Sequence, residues 1–470
     1  MKQRIVMKFG GTSVGSANAI RKVVAIIQNN KSLDYEIAIV VSAAVGITDL
    51  LNLCISQALG VENGNYSITL SIIKGRLQEI AEKLLRLKPD KENFFDILNK
   101  FLEEALDDCK KVKGNAENLP EIKDRILSIG ERAQIYLVSS ALNQSGLESV
   151  PLQASDFIIT NNSFLEATPL QPITNEKIKE RLEPFLLKGI IPVISGFIGS
   201  TSDGKLTTLG RGGSDFSAAI IAAGLDANEV WIWTDVDGMM TTDPSLITNT
   251  RLVTEISYKE VYDLAFFGAR VLHPKTIQPL EGKKIPIQIK NTFKEKNQGT
   301  HIHLSVKNSK RNLKAVTGIK RVSILSLRKR RNEDMGTVVS LVETALANSN
   351  IHLLGVFQDI NKDTTFLAIS QIVSDVDLSE FEKKLGEHLP GRNFPRLQHR
   401  PSQTLVTAVG HLIQKNPLLS AKLKITLENA GVVIQADAYR NTENSLSFLI
   451  SEQDHLKAIQ QLHNEVLSHA

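Results

Sequence analysis

Two segments carry the residues best suited to chemistry: Lys8-Phe9-Gly10-Gly11-Thr12-Ser13 and Leu209-Gly210-Arg211-Gly212-Gly213-Ser214-Asp215. Each joins glycines to a cation and to hydroxyl or carboxylate groups at a predicted strand-to-helix junction. Free N–H groups at a helix start attract phosphate, and glycine lets the backbone approach it closely. Two such loops, far apart in sequence, suggest one phosphate site built from both halves of a large domain. Neither has the Walker order, in which lysine follows the glycines. Lys8 precedes them, where its ammonium can rest on the oxygens of a phosphoryl group in transfer. Arg211 suits a carboxylate or phosphate, because a guanidinium donates two parallel hydrogen bonds. Asp215 reads both as a helix N-terminal cap and as a site carboxylate.

Four further segments carry weaker signals. Ser42-Ala43-Ala44-Val45-Gly46-Ile47-Thr48 is either a plain strand-to-helix turn or the lining of a small-substrate site. In Ser128-Ile129-Gly130-Glu131-Arg132 a glycine interrupts a helical pattern at a cost of ~1 kcal/mol, which implies close approach by a ligand or a backbone. Glu131 is then either an acceptor for an ammonium group or a surface partner of Arg132. Thr234-Asp235 ends a buried strand and suits a nucleotide, or magnesium held through water. In the stretch from Phe267 to Pro274, Arg270 is a cation for phosphate and His273 a structural residue before Pro274. No His/Cys cluster suits a transition metal.

The elements that must hold these groups read as α/β. Short apolar runs, Ile5–Phe9, Ile37–Val41, Ile191–Ser195, Val230–Trp233 and Ile285–Ile289, are predicted strands buried on both faces. Helical patterns at Ala17–Gln28, Lys123–Asn143, Ser214–Ala223 and Ser257–Phe267 alternate with them, which implies a mainly parallel sheet. Ligands in such folds bind at the carboxyl ends of strands. The charged stretch from Asn63 to Asn118 reads as a helical excursion with a solvated face. After about residue 315 a repeat sets in at an offset of 81: Ile324–Leu327 matches Leu405–Ala408, and Leu367–Ser370 matches Phe448–Ser451. Each copy predicts a ferredoxin-like βαββα unit, with helices over Thr337–Asn348 and Leu378–Leu385, then over Leu418–Asn429 and Gln453–Val466. Such a unit leaves a sheet edge open, so pairing between units or chains is expected.

Composition narrows the class. The chain has 470 residues, too many for one core, and 55 basic against 51 acidic side chains leave no nucleic-acid or membrane signature. The cluster Arg328–Arg331 is followed at once by Glu333 and Asp334 and reads as a solvated loop. Cys54 and Cys109 form no metal or disulfide pattern, so a reducing compartment is expected. The chain opens directly into a strand with no signal-peptide pattern, and no apolar run is long enough to span a membrane. A cytoplasmic protein is the expectation.

Taken together, Val6–Val14, Val41–Leu50, Thr208–Asp215, Trp233–Gly238, Phe267–Pro274 and Lys290–Phe293 resemble the aspartate kinases, a branch of the amino acid kinase family. The resemblance spans nearly the whole chain and includes a C-terminal pair similar to ACT domains. It implies an amino-acid-kinase-like three-layer α/β domain over residues 1–305, a first ACT unit over 306–400 and a second over 401–470. It also implies transfer of the ATP γ-phosphoryl group, with Mg2+, to the β-carboxylate of L-aspartate, opening the route to lysine, threonine and methionine. By the same resemblance Lys8 stabilises the transferred group and Asp215 orients it. Arg211 holds the substrate α-carboxylate and Glu131 its ammonium, while Ser42, Thr48 and Ser214 hydrogen-bond it. Gly10, Gly11 and Ser13 wrap phosphate, and Thr234, Asp235, Met240 and Arg270 face the nucleotide. The family usually has tyrosine at Met240, arginine at Ser245 and lysine at Arg270. An amino acid effector at the ACT units is implied, lysine before threonine, in a homodimer or homotetramer. The sequence ends after the second repeat, so no fused dehydrogenase is expected. Two other readings exist: a related kinase with a different carboxylate substrate, and a catalytically silent amino acid sensor.

Overall fold

The computed structural model describes residues 2–112, 118–269, 272–304, 313–328, 335–346, 353–358, 364–369, 383–384, 386–387, 403–438 and 442–468. The chain divides into two compact units, Met1–Met239 with Leu272–Leu304 and Met240–Val271 with Ser305–Ala470. The second unit thus takes in a segment from the middle of the stretch assigned by sequence to the first domain.

In the first unit the strands are β1 (Arg4–Phe9), β2 (Glu36–Val41), β3 (Ser149–Leu152), β4 (Ile159–Thr160), β5 (Ile191–Ser195), β6 (Ile198–Thr201), β7 (Leu206–Thr208) and β8 (Glu229–Thr234). β9 (Glu255–Ser257) belongs to the second unit, and β10 (Ile287–Asn291) and β11 (Thr300–His303) return to the first. Across the first unit the main sheet runs β3-β5-β2-β1-β8-β10-β11. It is parallel except for the β10–β11 pair. β1 is central, paired in parallel with β2 and β8. Alternation along it sends Ile5, Met7 and Phe9 into one hydrophobic core and leaves Lys8 for the opposite face.

Helices of the first unit include α1 (Ala17–Lys31), α2 (Ile47–Leu59), α3 (Tyr66–Leu84), α4 (Lys88–Val112), α5 (Leu119–Leu127), α6 (Ile129–Asn143), α7 (Gln171–Leu187) and α8 (Gly213–Gly224). α8 packs on β1 and β8. The helical excursion is α3 and α4, and it shares the core of α1 and α6 through Leu70, Ile73, Leu77, Phe94 and Leu98. Its charges are not all solvated: Asp108 is buried and takes a two-pronged pair from Arg125 at 2.8 and 2.9 Å.

Two sequence expectations shift locally. The helix over Lys123–Asn143 is two helices that meet at Ser128, whose hydroxyl donates to the carbonyl of Arg125 at 2.6 Å. A hydroxyl bonded back into the preceding turn interrupts the helix there. The strand expected from Ile285 starts at Ile287, because Lys284 is left-handed (φ 57°) and the amide of Ile285 still bonds Leu280.

In the second unit the described strands are β12 (Ala315–Lys320), β13 (Ser323–Arg328), β14 (Leu353–Gln358), β15 (Thr364–Ile369), β16 (Gln403–Val409), β17 (Ala436–Ala438) and β18 (Ser445–Ser451). They form two antiparallel sheets, β12-β16-β18-β17 and β13-β15-β14. The repeat is structural. Ile324 pairs with Ala368 and Leu405 with Leu449, at the same offset of 81. Helices Met335–Leu346, Pro417–Asn429 and His455–Ser468 occupy the expected places. Most of the helix expected over Leu378–Leu385, all but the helical residues 383–384, and most of the Arg328–Arg331 cluster lie outside the described residues. β12 precedes the first repeat yet pairs with β16, completing the sheet of the second.

Candidate active site

Lys8 stands at the carboxyl end of the central strand. Immediately after it, the amide of Gly10 donates to the carbonyl of Trp233 at 3.0 Å, and that of Val45 to the carbonyl of Gly11 at 3.1 Å. These bonds fasten the glycine turn to the ends of β8 and β2. A Cβ on Gly11 would lie 2.8 Å from the carbonyl oxygen of Ala43, so the close approach requires glycine.

The second glycine loop joins β7 to α8. Gly210 and Gly212 are both left-handed (φ 75° and 72°), and Gly212 is the N-cap, with no side-chain cap. Asp215, in the first turn, therefore does not cap. Its Oδ1 meets the Nζ of Lys8 at 2.6 Å in a largely buried ion pair. This pair joins the two glycine loops, and it rests on two local facts: the outward face of β1 at Lys8 and the start of α8 at Gly213.

Glu131 lies in the first turn of α6 and is only 4% exposed. It is no surface partner of Arg132, which instead pairs with Glu104 at 3.1 Å and lies over the ring of Phe101. Burial pushes the Glu131 carboxyl up to about 8, against the opposing pull of the Ala43 amide and of Lys8. The helix reaches the 42–46 loop because residue 130 is glycine: a Cβ there would lie 2.5 Å from the Cβ of Ala43. The close approach implied by the sequence is thus made by another part of the chain.

One cleft of about 570 Å³ gathers Lys8, Gly11, Ser42, Thr48, Glu131, Arg211, Ser214 and Asp215. Its cations and carboxylates stand among apolar side chains such as Leu165 and Phe197, an arrangement fit to hold a small zwitterion beside a phosphoryl group. Gly10 and Ser13 do not line it. Ser13 is fully buried and shares a hydrogen bond of 2.7 Å with Thr292. Thr234 and Asp235 sit at the end of β8, outside this lining, with the Asp235 carbonyl accepting from Asn291 at 3.2 Å. Met240 belongs to the second unit, where it bridges Leu252. Ser245 folds back onto Asp243 through amide and hydroxyl, at 2.8 and 2.7 Å. Arg270 lies outside the described residues. His273 is structural, its ring accepting from the amide of Lys275 at 3.3 Å as the cap of helix Pro274–Glu281. The cleft also contains Asn52, Leu165 and Phe197, which sequence reasoning did not single out. Phe197 had a usable signal, its place just past the end of β5.

The sequence model described as the amino acid kinase family matches residues 3–291. The chain belongs to the amino acid kinase family. Within this family it is 29% identical over 468 residues to a bifunctional aspartokinase/homoserine dehydrogenase of Buchnera aphidicola, covering 98% of this chain and 56% of that one. To an aspartokinase of Chlamydia trachomatis it is 35% identical over 305 residues, 65% of either chain. The chain thus spans less than two thirds of the length of these curated relatives. Among solved structures it is similar to E. coli aspartokinase III in complex with aspartate and ADP, the R-state, with TM-score 0.81, 27% identity and coverage of 98% of this chain and 99% of that one. The same enzyme with lysine and aspartate, the T-state, gives a TM-score of 0.76 at 27% identity, covering 98% and 99%. The fold is that of the family's three-layer α/β domain with a mainly parallel sheet, followed by two ferredoxin-like ACT units, and the resemblance to aspartate kinases holds along the chain.

Proposed function

We propose that the chain is an aspartate kinase. It transfers the γ-phosphoryl group of ATP, bound with Mg2+, to the β-carboxylate of L-aspartate. A carboxylate oxygen forms the new P–O bond, the bond to the β,γ-bridging oxygen breaks, and ADP leaves with the electron pair. The β-carboxylate is ionised at neutral pH, so no general base is needed. Catalysis is then positioning and charge neutralisation.

The observation that carries this reading is the Lys8–Asp215 pair of 2.6 Å inside a cleft that also contains Arg211 and Glu131. Lys8 neutralises the phosphoryl oxygens, and Asp215 keeps its ammonium aimed. Arg211 takes the α-carboxylate and Glu131 the α-ammonium, with Ser42, Thr48 and Ser214 bonding the rest. Gly10 and Gly11 shape the phosphate turn, Ser13 braces it from behind, and Thr234, Asp235, Met240 and Arg270 serve the nucleotide.

The same reading makes this the first step toward lysine, threonine and methionine, in the cytoplasm, by a homodimer or homotetramer. Among the described residues no helix is long and apolar enough to cross a membrane. Feedback by an end-product amino acid acts through the ACT units, with lysine the first effector to test and threonine the second. The E. coli enzyme bound to lysine supports that order. We keep 1–305, 306–400 and 401–470 as domain spans, with β12 as a contribution to the last. Turnover with ATP and L-aspartate, trapped as the hydroxamate, tests the assignment, and lysine, threonine and methionine added singly test the regulation. Turnover with glutamate but not aspartate, or none with any amino acid, overturns it.

A further inference from the structure

Asp124, on α5, is fully buried and does not itself line the cleft. It accepts three hydrogen bonds: from the amide of Leu165 at 2.9 Å, from the amide of Thr208 at 3.0 Å and from the Thr208 hydroxyl at 2.5 Å. Leu165 and Thr208 both line the cleft. Leu165 has a left-handed backbone (φ 72°), a conformation that costs a branched side chain energy and persists only where surroundings impose it. Thr208 is the last residue of β7, one step before the loop that carries Arg211. The two segments are laced together, since the amide of Ala167 donates to the carbonyl of Thr208 at 2.9 Å. Gly210 sits so close that a Cβ on it would lie 3.1 Å from the carbonyl oxygen of Leu165.

We propose that Asp124 is a positioning residue for the acceptor substrate: it fixes Leu165 and Thr208, and through them the apolar wall of the cleft and the base of the Arg211 loop. A single buried carboxylate replaces the water that these two amides and one hydroxyl would otherwise bind. Loss of the carboxylate frees Leu165 to leave its strained conformation and lets the loop drift. The consequence falls on the amino acid and not on the nucleotide. This inference rests on the aspartate kinase reading for its kinetic form, and on the geometry alone for its structural form.

The test combines steady-state kinetics with amide deuterium exchange on full-length protein. Asp124→Ala is expected to raise the KM for aspartate by about tenfold or more while the KM for ATP stays within about twofold. Asp124→Asn keeps an acceptor for the two amides and can donate to the Thr208 hydroxyl, so its KM for aspartate should stay within about threefold of wild type. Exchange over residues 161–168 and 206–212 should accelerate in Asp124→Ala and not in Asp124→Asn. A general loss of stability would lower the amount of active enzyme and leave the KM ratio alone. Unchanged KM for aspartate in folded Asp124→Ala, an equal rise in both KM values, or unchanged exchange would overturn the proposal. If Asp124→Ala does not fold, Thr208→Val decides. It removes only the hydroxyl bond and should raise the KM for aspartate about threefold, and no change refutes the role. A wild-type protein that turns over no aspartate sinks the functional reading alone, and the exchange result then judges the positioning by itself.

Discussion

A methyl group at Gly130 would lie 2.5 Å from the Cβ of Ala43. Real Cβ atoms do not approach so closely, so either α6 or the 42–46 loop would move. Ala43 and Glu131, the residue after Gly130, both line the cleft, so the movement falls there. Gly130→Ala should cost ~1–3 kcal/mol of stability, as overpacking does, and raise the KM for aspartate. Ala43→Gly in the same chain should restore most of both, giving a coupling that a double-mutant cycle reads. Thermal melts and aspartate titrations that leave Gly130→Ala at wild type would refute the contact.

Glu131 gives a pH prediction. Burial raises its carboxyl to about 8, so the ligand-free protein holds it protonated near neutral pH. An ammonium brought against it favours the ionised form. Aspartate binding near neutral pH should therefore release close to one proton, seen as a buffer-dependent heat in titration calorimetry. The sign for stability follows from the raised value. The contribution of the neutral carboxyl is whole below the unfolded 4.5 and is lost as pH rises through about 8. The melting temperature of ligand-free protein should fall across that window, and Glu131→Gln should flatten the fall. Heats that do not depend on the buffer would deny Glu131 its ammonium.

Lys8→Ala should lower kcat by several orders of magnitude in a protein that still folds. An ammonium acting on charge that develops in the transition state contributes more to kcat than to KM. Glu131→Gln should act otherwise, raising the KM for aspartate strongly and that for ATP little. A folded Lys8→Ala enzyme within about tenfold of wild type would end the assignment of Lys8.

In the second unit Lys314 and Glu260 form a buried pair at 3.2 Å, and Lys314 also donates to the carbonyl of Glu255 at 3.0 Å. Removing one partner leaves a buried charge uncompensated, so Lys314→Met should cost ~3–5 kcal/mol in urea unfolding. Adding Glu260→Gln should recover most of it, because glutamine keeps the helix-start bond to Ser257. A chain cut before Ser305 loses Lys314 together with Leu405 and Leu449, which pack against Phe267. Such a fragment should aggregate, and the regulatory test belongs on the full chain. A soluble, monodisperse fragment in light scattering would contradict this.

The sequence made the central relationship readable. Lys8 and Asp215 stand in glycine loops at strand ends, and both features are local. The repeat was readable because its offset survives in the pairing of Ile324 with Ala368 and Leu405 with Leu449. Asp124 was not, because its three donors come from Leu165 and Thr208, and nothing in the spacing joins them. Ser13, expected to wrap phosphate from its place after two glycines, is fully buried and shares a hydroxyl bond with Thr292, a contact that no sequence spacing announces. The burial of Glu131 depends on Ala43, a residue of no chemical interest in the sequence.

The pairing of β12 with β16 sets a timetable for synthesis. Residues 315–320 leave the ribosome first, but their partner at 403–409 comes only after the whole first repeat. At the usual ~5–20 residues per second, that is a delay of roughly ten seconds. During it the nascent chain carries an apolar strand without its strand partner, joined to a first repeat that can already close its own three-stranded sheet. Chaperone capture should peak in this interval. A pause introduced between the codons for residues 370 and 400 should harm the yield of folded protein more than one placed after residue 451, when β18 has completed the sheet.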